Sequence, residues 1–231
     1  MTMPFVSALR LRVPVPENDM AGMLASWMDA SPGLDLSSSD CQGDLETIGK
    51  LRMDIGSILM ESETLKSIGD ESVHSMALSE VAEKLHQYYN YLLECEGFGM
   101  VQQRSEDLPP PLEFLSLNWQ SSAVETGPFV FQKADSLEAE RANVMWNLAA
   151  LEAHRASQEN LTTKPGWNKA STRLQKAASC LGHLLTYMET HSLDLQDSNE
   201  TSPAFLLVWI RILKILVISI PGPVYCKPVA V

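Results

Sequence analysis

Trp167, Ala170, Leu174, Ala177, Leu181, Leu184 and Met188 follow one another at alternating steps of three and four residues. An α-helix, at 3.6 residues per turn, gathers such positions onto one stripe. The spacing predicts a helix over residues 167–188, whose alanines let a neighbour approach closely. Comparable stripes precede it. Leu45, Ile48, Leu51 or Arg52, Ile55, Ile58 or Leu59 and Leu65 predict a helix over 45–67, ended by Gly69-Asp70. Ala77, Val81, Leu85, Tyr88 and Leu92 predict one over 73–95, with Gly97 just past its end. Leu137, Val144, Leu148 and Leu151, with Met145 and Trp146 beside them, predict one over 136–157. Asp135 reads as its N-cap, and Glu138 as the partner in a capping-box-like pair. Ser202 and Pro203 read as N-cap and first residue of a last helix, which must stop by Pro221.

The remaining segments punctuate these helices. Residues 5–15 alternate partly between apolar and polar and read as an extended segment or short strand. Residues 31–40 carry turn-forming residues and read as a loop. Residues 104–111 end in three consecutive prolines, a stiff connector that excludes helix. Residues 112–119 read as extended or a short helix, and Gly127-Pro128 breaks the chain again. Long helices joined by short connectors pack as antiparallel neighbours. The expected fold is therefore mainly α: an antiparallel helix-hairpin, solenoid-like (TPR-like) core with a short N-terminal β element. No fixed sequence period supports a true repeat array.

The chain has 231 residues, room for one large domain or two small ones. Its 17 Lys and Arg stand against 29 Asp and Glu, a net charge of −12. That balance argues against a nucleic-acid surface, which needs clustered cations to release counterions, and against a polybasic membrane patch. Residues 1–16 lack a secretory apolar run, because Arg10 and Arg12 interrupt it and Pro14 and Pro16 end it. The longest apolar stretch, 205–220, contains Arg211 and Lys214 and falls short of the about 20 residues a spanning helix needs. It reads as a core helix. Asn160 and Asn199 sit in glycosylation sequons of a kind common by chance.

Reactive residues do not converge in the sequence. Cys41, Cys95, Cys180 and Cys226 show no disulfide or metal spacing and read as free thiols in a reducing compartment. Cys180 and His183 lie three apart on a helix but lack a second ligand pair, so packing accounts for them better than metal. His74, His86, His154 and His191 read as surface histidines. Glu138, Glu140 and Arg141 read as a solvated helix face, and Glu152 with Arg155 as an i,i+3 ion pair. Trp119, Trp146, Trp167 and Trp209 read as core. Neither a phosphate-binding glycine pattern nor a nucleophile elbow occurs. These residues assign no catalytic, cofactor-binding or metal-binding position.

The segment 136–151 carries a more specific signal. It resembles the signature helix of the ALIX-, rhophilin- and HD-PTP-type Bro domains, Leu-x-x-Glu-Lys/Arg-x-x-Val-Leu-Phe-Asn-Ile-x-Ala-Leu. Leu137, Glu140, Arg141, Val144, Asn147, Ala150 and Leu151 match it, with Met145, Trp146 and Leu148 as apolar replacements. The next helix is similar to the family's in order: Gly166, Lys169-Ala170, Leu174-Gln175, Ala177-Ala178, Ser179 and Leu181. Upstream, Tyr88-Tyr89 with Leu92 resembles the family's tyrosine-containing helix. Leu117-Asn118-Trp119-Gln120-Ser121 resembles its Phe-x-Trp-x-Asp-Ser segment. The resemblance extends over residues 5–214.

The resemblance implies a boomerang-shaped helical domain without enzymatic activity or cofactor. It implies a cytoplasmic, endosome-associated adaptor in multivesicular-body sorting, with peripheral membrane association. Its partner would be the C-terminal amphipathic helix of an ESCRT-III subunit, whose apolar face lies in a groove. A rhophilin-like scaffold in a small-GTPase pathway is the alternative of the same fold, and an unrelated helical enzyme the distant third.

The resemblance fades after Lys214, where the expected Ala-Gln-Ala-Gln helix is replaced. Residues 1–214 therefore read as a partial Bro-type domain and 215–231 as a divergent apolar tail, as in a truncated product. Most of the family's ESCRT-III patch would lie beyond this point. The stretch 164–168 also lacks the acid–base pair of some members, so no contact residue carries over. An uncovered apolar face and poor solubility are the physical expectation.

Overall fold

The computed structural model describes residues 9, 11–15, 20–29, 39–68, 71–102, 117–121, 131–134, 136–191, 193 and 203–219. Six helices occur among them: α1 Met20–Asp29, α2 Ser39–Ile68, α3 Glu71–Gln102, α4 Leu137–Ser157, α5 Lys164–Thr190 and α6 Pro203–Ser219. Three short strands, β1 Arg12–Pro14, β2 Leu117–Ser121 and β3 Phe131–Ala134, form an antiparallel sheet in chain order. Val13 pairs with Gln120, and Trp119 with Gln132.

Each long helix packs on the next in sequence, α2 on α3, α3 on α4, α4 on α5 and α5 on α6. Contacts along the helices run in opposite directions. His74 meets His154 while Tyr89 meets Arg141, so α3 and α4 are antiparallel. Arg173 bonds to Glu152 while Tyr187 lies against Arg141, so α4 and α5 are too. The solenoid-like architecture expected from the stripes is present. Leu148 and Leu181, which must face inward if α4 and α5 dock, are both buried.

Several local expectations change. Helix α2 begins at Ser39, inside the expected loop, and α3 continues through Gly97 to Gln102, since one glycine inside a helix costs only about 1 kcal/mol and need not end it. The cap of α4 is Ser136, whose hydroxyl accepts from the Ala139 amide at 3.0 Å, so Glu138 occupies no capping-box position. Asp135 lies outside the described residues, as do the 104–111 connector and Gly127-Pro128. Helix α5 starts earlier than its stripe, at Lys164. Thr163 caps it by accepting from the Gly166 amide, with Pro165 in the first turn where no partner amide is needed. Helix α1 and strand β3 have no counterpart in the expected elements. The β element is N-terminal only in β1, and its other two strands come from the middle of the chain.

Two glycines mark close approaches. A Cβ on Gly56 would stand 2.9 Å from the Pro14 carbonyl oxygen, so a glycine here lets β1 cross close against α2. A Cβ on Gly166 would collide with the Asn160 backbone, which gives a steric reason for this glycine at the tight α4–α5 turn. Helix α6 departs from the expected core helix. Only Leu206, Trp209 and Leu213 are buried, all on one side. It packs along α5 by one edge and leaves the other in solvent.

Candidate functional site

Helix α4 is the centre of the molecule. Sixteen of its 21 residues are buried, polar ones included. It has neighbours on every side: α3, α5 and the sheet. A helix enclosed all round must satisfy every polar side chain internally, since a buried unpaired group costs about 1–3 kcal/mol.

Glu140 is 0% exposed, against the expectation of a solvated face. Its carboxylate accepts from Arg52 Nε of α2 at 2.9 Å, from the Tyr88 hydroxyl of α3 at 2.8 Å and from Trp119 Nε1 of β2 at 2.6 Å. Arg52 also donates to the Val15 carbonyl at 2.9 Å, and its guanidinium lies over the Trp119 ring. Burial alone would lower the Arg52 pKa. Glu140 and Tyr88, by charge and hydrogen bonding together, outweigh it, and the pKa rises. The Tyr88 hydroxyl is pushed well above its ordinary value, first by burial and then by the Glu140 charge. Four elements are thus tied to one carboxylate.

One helical turn on, Asn143 and Asn147 hold β1. The Arg12 backbone amide donates to Asn147 Oδ1 at 2.7 Å, and Asn147 Nδ2 returns a bond to the Arg12 carbonyl at 2.8 Å. Asn147 thereby acts as a strand partner. Arg12 Nη1 donates to Asn143 Oδ1 at 2.6 Å, with its guanidinium 4.6 Å from the Trp146 ring centre. Arg141 donates to the Tyr89 hydroxyl at 2.9 Å and lies over the Tyr187 ring. Glu140, Arg141 and Asn147, three matched positions of the signature helix, are therefore architectural. The Glu140 carboxylate is sealed from solvent, where no substrate reaches it.

The histidines divide. His86 is exposed as expected, but His74 is buried against His154, their Nε2 atoms 3.3 Å apart. Position along a helix could not show this, because the two meet only when α3 and α4 dock. His183 is exposed while Cys180 is partly buried, and among the described residues no cluster of three His, Cys, Asp or Glu could hold a metal ion. Burial first, and then the Glu152 charge, raise the Cys180 thiol pKa against the pull of Lys176. Glu152 makes the expected 3.5 Å pair with Arg155 and also binds Arg173 at 3.3 Å, while Arg173 reaches Glu159 at 3.0 Å. Trp167 fixes the same turn by donating to the Leu161 carbonyl.

One accessible apolar surface lies on α5 and α6. Between them runs an open groove of about 530 Å³. Ser179 and Gly182 supply small positions on the α5 side, and Ile210 and Val217 line the α6 side with Lys214. Beside it, Leu207, Val208, Ile215 and Ile218 stand in solvent, the last 83% exposed. The two helices carry six of the chain's seventeen Lys and Arg but only one of its twenty-nine Asp and Glu. Arg173 is engaged with carboxylates, and Lys164, Lys169, Lys176, Arg211 and Lys214 are exposed. These two helices are thus locally cationic in an acidic chain, and α6 is also strongly apolar. No helix among the described residues is long and apolar enough to cross a membrane.

The model of the BRO1-like domain family matches residues 34–212. The chain belongs to this family. Solved structures agree on the fold. The ALIX BRO1 domain in a complex with CHMP4C superposes with a TM-score of 0.65 at 21% identity, over 91% of this chain and 54% of that one. ALIX in complex with the SIVmac239 PYKEVTEDL late domain gives 0.64 at 19% identity, over 91% of this chain and 27% of that one. This BRO1-like chain thus spans little more than half, or less, of the solved chains it resembles. No curated protein matches it by sequence. The Bro-type resemblance read from the signature helix is correct, and so is the mainly helical fold it implied.

Proposed function

We propose that this BRO1-like chain is a non-enzymatic adaptor of endosomal sorting, and that the α5–α6 groove receives an amphipathic helix with acidic flanks. The carrying observation is the groove lining itself, which combines small residues at Ser179 and Gly182, aliphatic Ile210 and Val217 with further exposed aliphatic side chains along α6, and the cation Lys214. An apolar helix face fits the first two, and its acidic flanks meet the third. The C-terminal helix of an ESCRT-III subunit is the proposed occupant. The complex of the ALIX BRO1 domain with CHMP4C supports that choice. In this reading residues 1–214 are the Bro-type unit and 215–231 a sequence-divergent tail. The site of action is cytoplasmic, at the endosome surface, with peripheral membrane association through partners.

Gly182 offers a clean test. A Cβ there meets nothing within 4 Å, so Gly182→Leu fills the groove without straining the fold. Anisotropy of a labelled CHMP4C C-terminal peptide should show at least tenfold weaker binding to Gly182→Leu, while its thermal midpoint stays equal or rises. Ile215→Asp should weaken binding similarly. Undiminished binding to both variants refutes the proposed site, and no binding to the parent chain refutes the partner.

A further inference from the structure

We propose that His74 and His154 form a two-imidazole clamp for a borderline divalent cation, of which Zn²⁺ is the probe of choice. His74 lies in the first turns of α3 and His154 in the last turn of α4, at the opposite end of α4 from the Glu140 network. Two imidazoles bound to one tetrahedral ion at 2.0–2.1 Å hold their nitrogens about 3.3–3.4 Å apart. The Nε2 atoms stand 3.3 Å apart. That is long beside the roughly 3 Å of an ordinary N–H hydrogen bond. The rings are nearly perpendicular, at 81°, with centroids 5.5 Å apart, so each points a nitrogen toward the space between them without steric conflict.

The surroundings suit a cation. The α4 C-terminus presents the negative end of its helix dipole, which offsets the positive end of α3 beside His74. Ser157 Oγ donates to the His154 carbonyl at 2.7 Å and steadies that turn. His74 is buried and His154 partly exposed, so water can complete the coordination shell from one side. Imidazole-only ligation favours Zn²⁺, Ni²⁺ or Cu²⁺ over Mg²⁺ or Ca²⁺. With no third protein ligand among the described residues, this is an exchangeable strap rather than a closed structural site. Both ligating nitrogens must be deprotonated to bind the ion, so binding releases any proton they hold.

The test is Zn²⁺ titration of the full chain by calorimetry in two buffers of different ionisation enthalpy, with thermal midpoints alongside. His74→Gln and His154→Gln should each weaken Zn²⁺ binding at least tenfold and abolish the Zn²⁺-dependent rise in midpoint. His86→Gln, on an exposed face, should change neither. For a variant that does not fold, imidazole nitrogen NMR of the parent chain decides. Zn²⁺ should shift the Nε2 signals of His74 and His154 together. Binding unchanged in either folded variant, no binding at 100 µM Zn²⁺ (about the level of casual surface sites), or shifts confined to other histidines would each overturn the clamp.

Discussion

Replacing Glu140 by alanine removes the one acceptor shared by Arg52, Tyr88 and Trp119. Breaking a buried ion pair from one side costs about 3–5 kcal/mol, because the other charge stays behind. The Tyr88 and Trp119 donors lose their acceptor as well, at about 1–3 kcal/mol each when nothing replaces it. With Glu140 gone, the single Tyr88 proton can turn to Met20 Sδ, 2.8 Å away, which softens its share. The losses overlap at one site and do not add in full. A net cost on the order of 5 kcal/mol is expected, most of the margin of a domain stable by about 5–15 kcal/mol. Urea unfolding followed by far-ultraviolet circular dichroism measures it. Removing both charges, as in Arg52→Met with Glu140→Leu, leaves no orphan charge and should cost less than the two single changes summed, by at least about 1.5 kcal/mol. A Glu140→Ala chain within 1 kcal/mol of the parent, or strict additivity in the cycle, would refute the account of Glu140 as the hub of the fold.

Gly166→Ala should destabilise the chain by several kcal/mol in the same urea assay, because the added methyl meets the Asn160 backbone rather than a movable side chain. Tyr88, with its pKa raised above the ordinary 10.0, contributes stability that is whole below pH 10 and is lost as pH rises through the folded-state value. Alkaline melts should therefore show a fall above about pH 10 that Tyr88→Phe reduces. Cys180, raised by burial, should react with iodoacetamide at pH 8 more slowly than a free cysteine peptide, as mass spectrometry of the modified site will show. If the α5–α6 cations steer an acidic helix, peptide association should slow several-fold between low and physiological salt in stopped-flow measurements.

The α5 stripe was legible because the helix has one wet face. From Ala170 to Met188 every stripe residue is buried, while Trp167 is partly covered. Helix α4 was harder to read for the opposite reason. Enclosed on all sides, it has no polar face, so Glu140 and Arg141 looked like solvent residues. The partners of Glu140 lie on three other elements, in Arg52, Tyr88 and Trp119, and those of Arg141 are Tyr89 of α3 and Tyr187 of α5. The usable signal was the signature pattern, in which Glu140, Arg141 and Asn147 were all matched positions. Helix α1 carried a readable signal in Met20, Met23, Leu24 and Trp27, spaced for one helical face. Strand β3 did not, since a four-residue strand is defined by pairing with β2 more than by its own composition. The surface on α5 and α6 is visible in the sequence only as a local reversal of charge against an acidic background.

Strand β1 pairs with β2 along one edge, and its other edge finds its hydrogen-bond partners 135 positions downstream, in Asn147. At about 5–20 residues per second of synthesis, the ribosome needs roughly 7–25 s to deliver α4 after β1 has emerged. Throughout that interval the strand lacks these partners and is open to chaperones or to stray edges on other nascent chains. Assembly of the fold is thus timed by α4, and slowing translation between codons 15 and 147 should raise the yield of aggregated product.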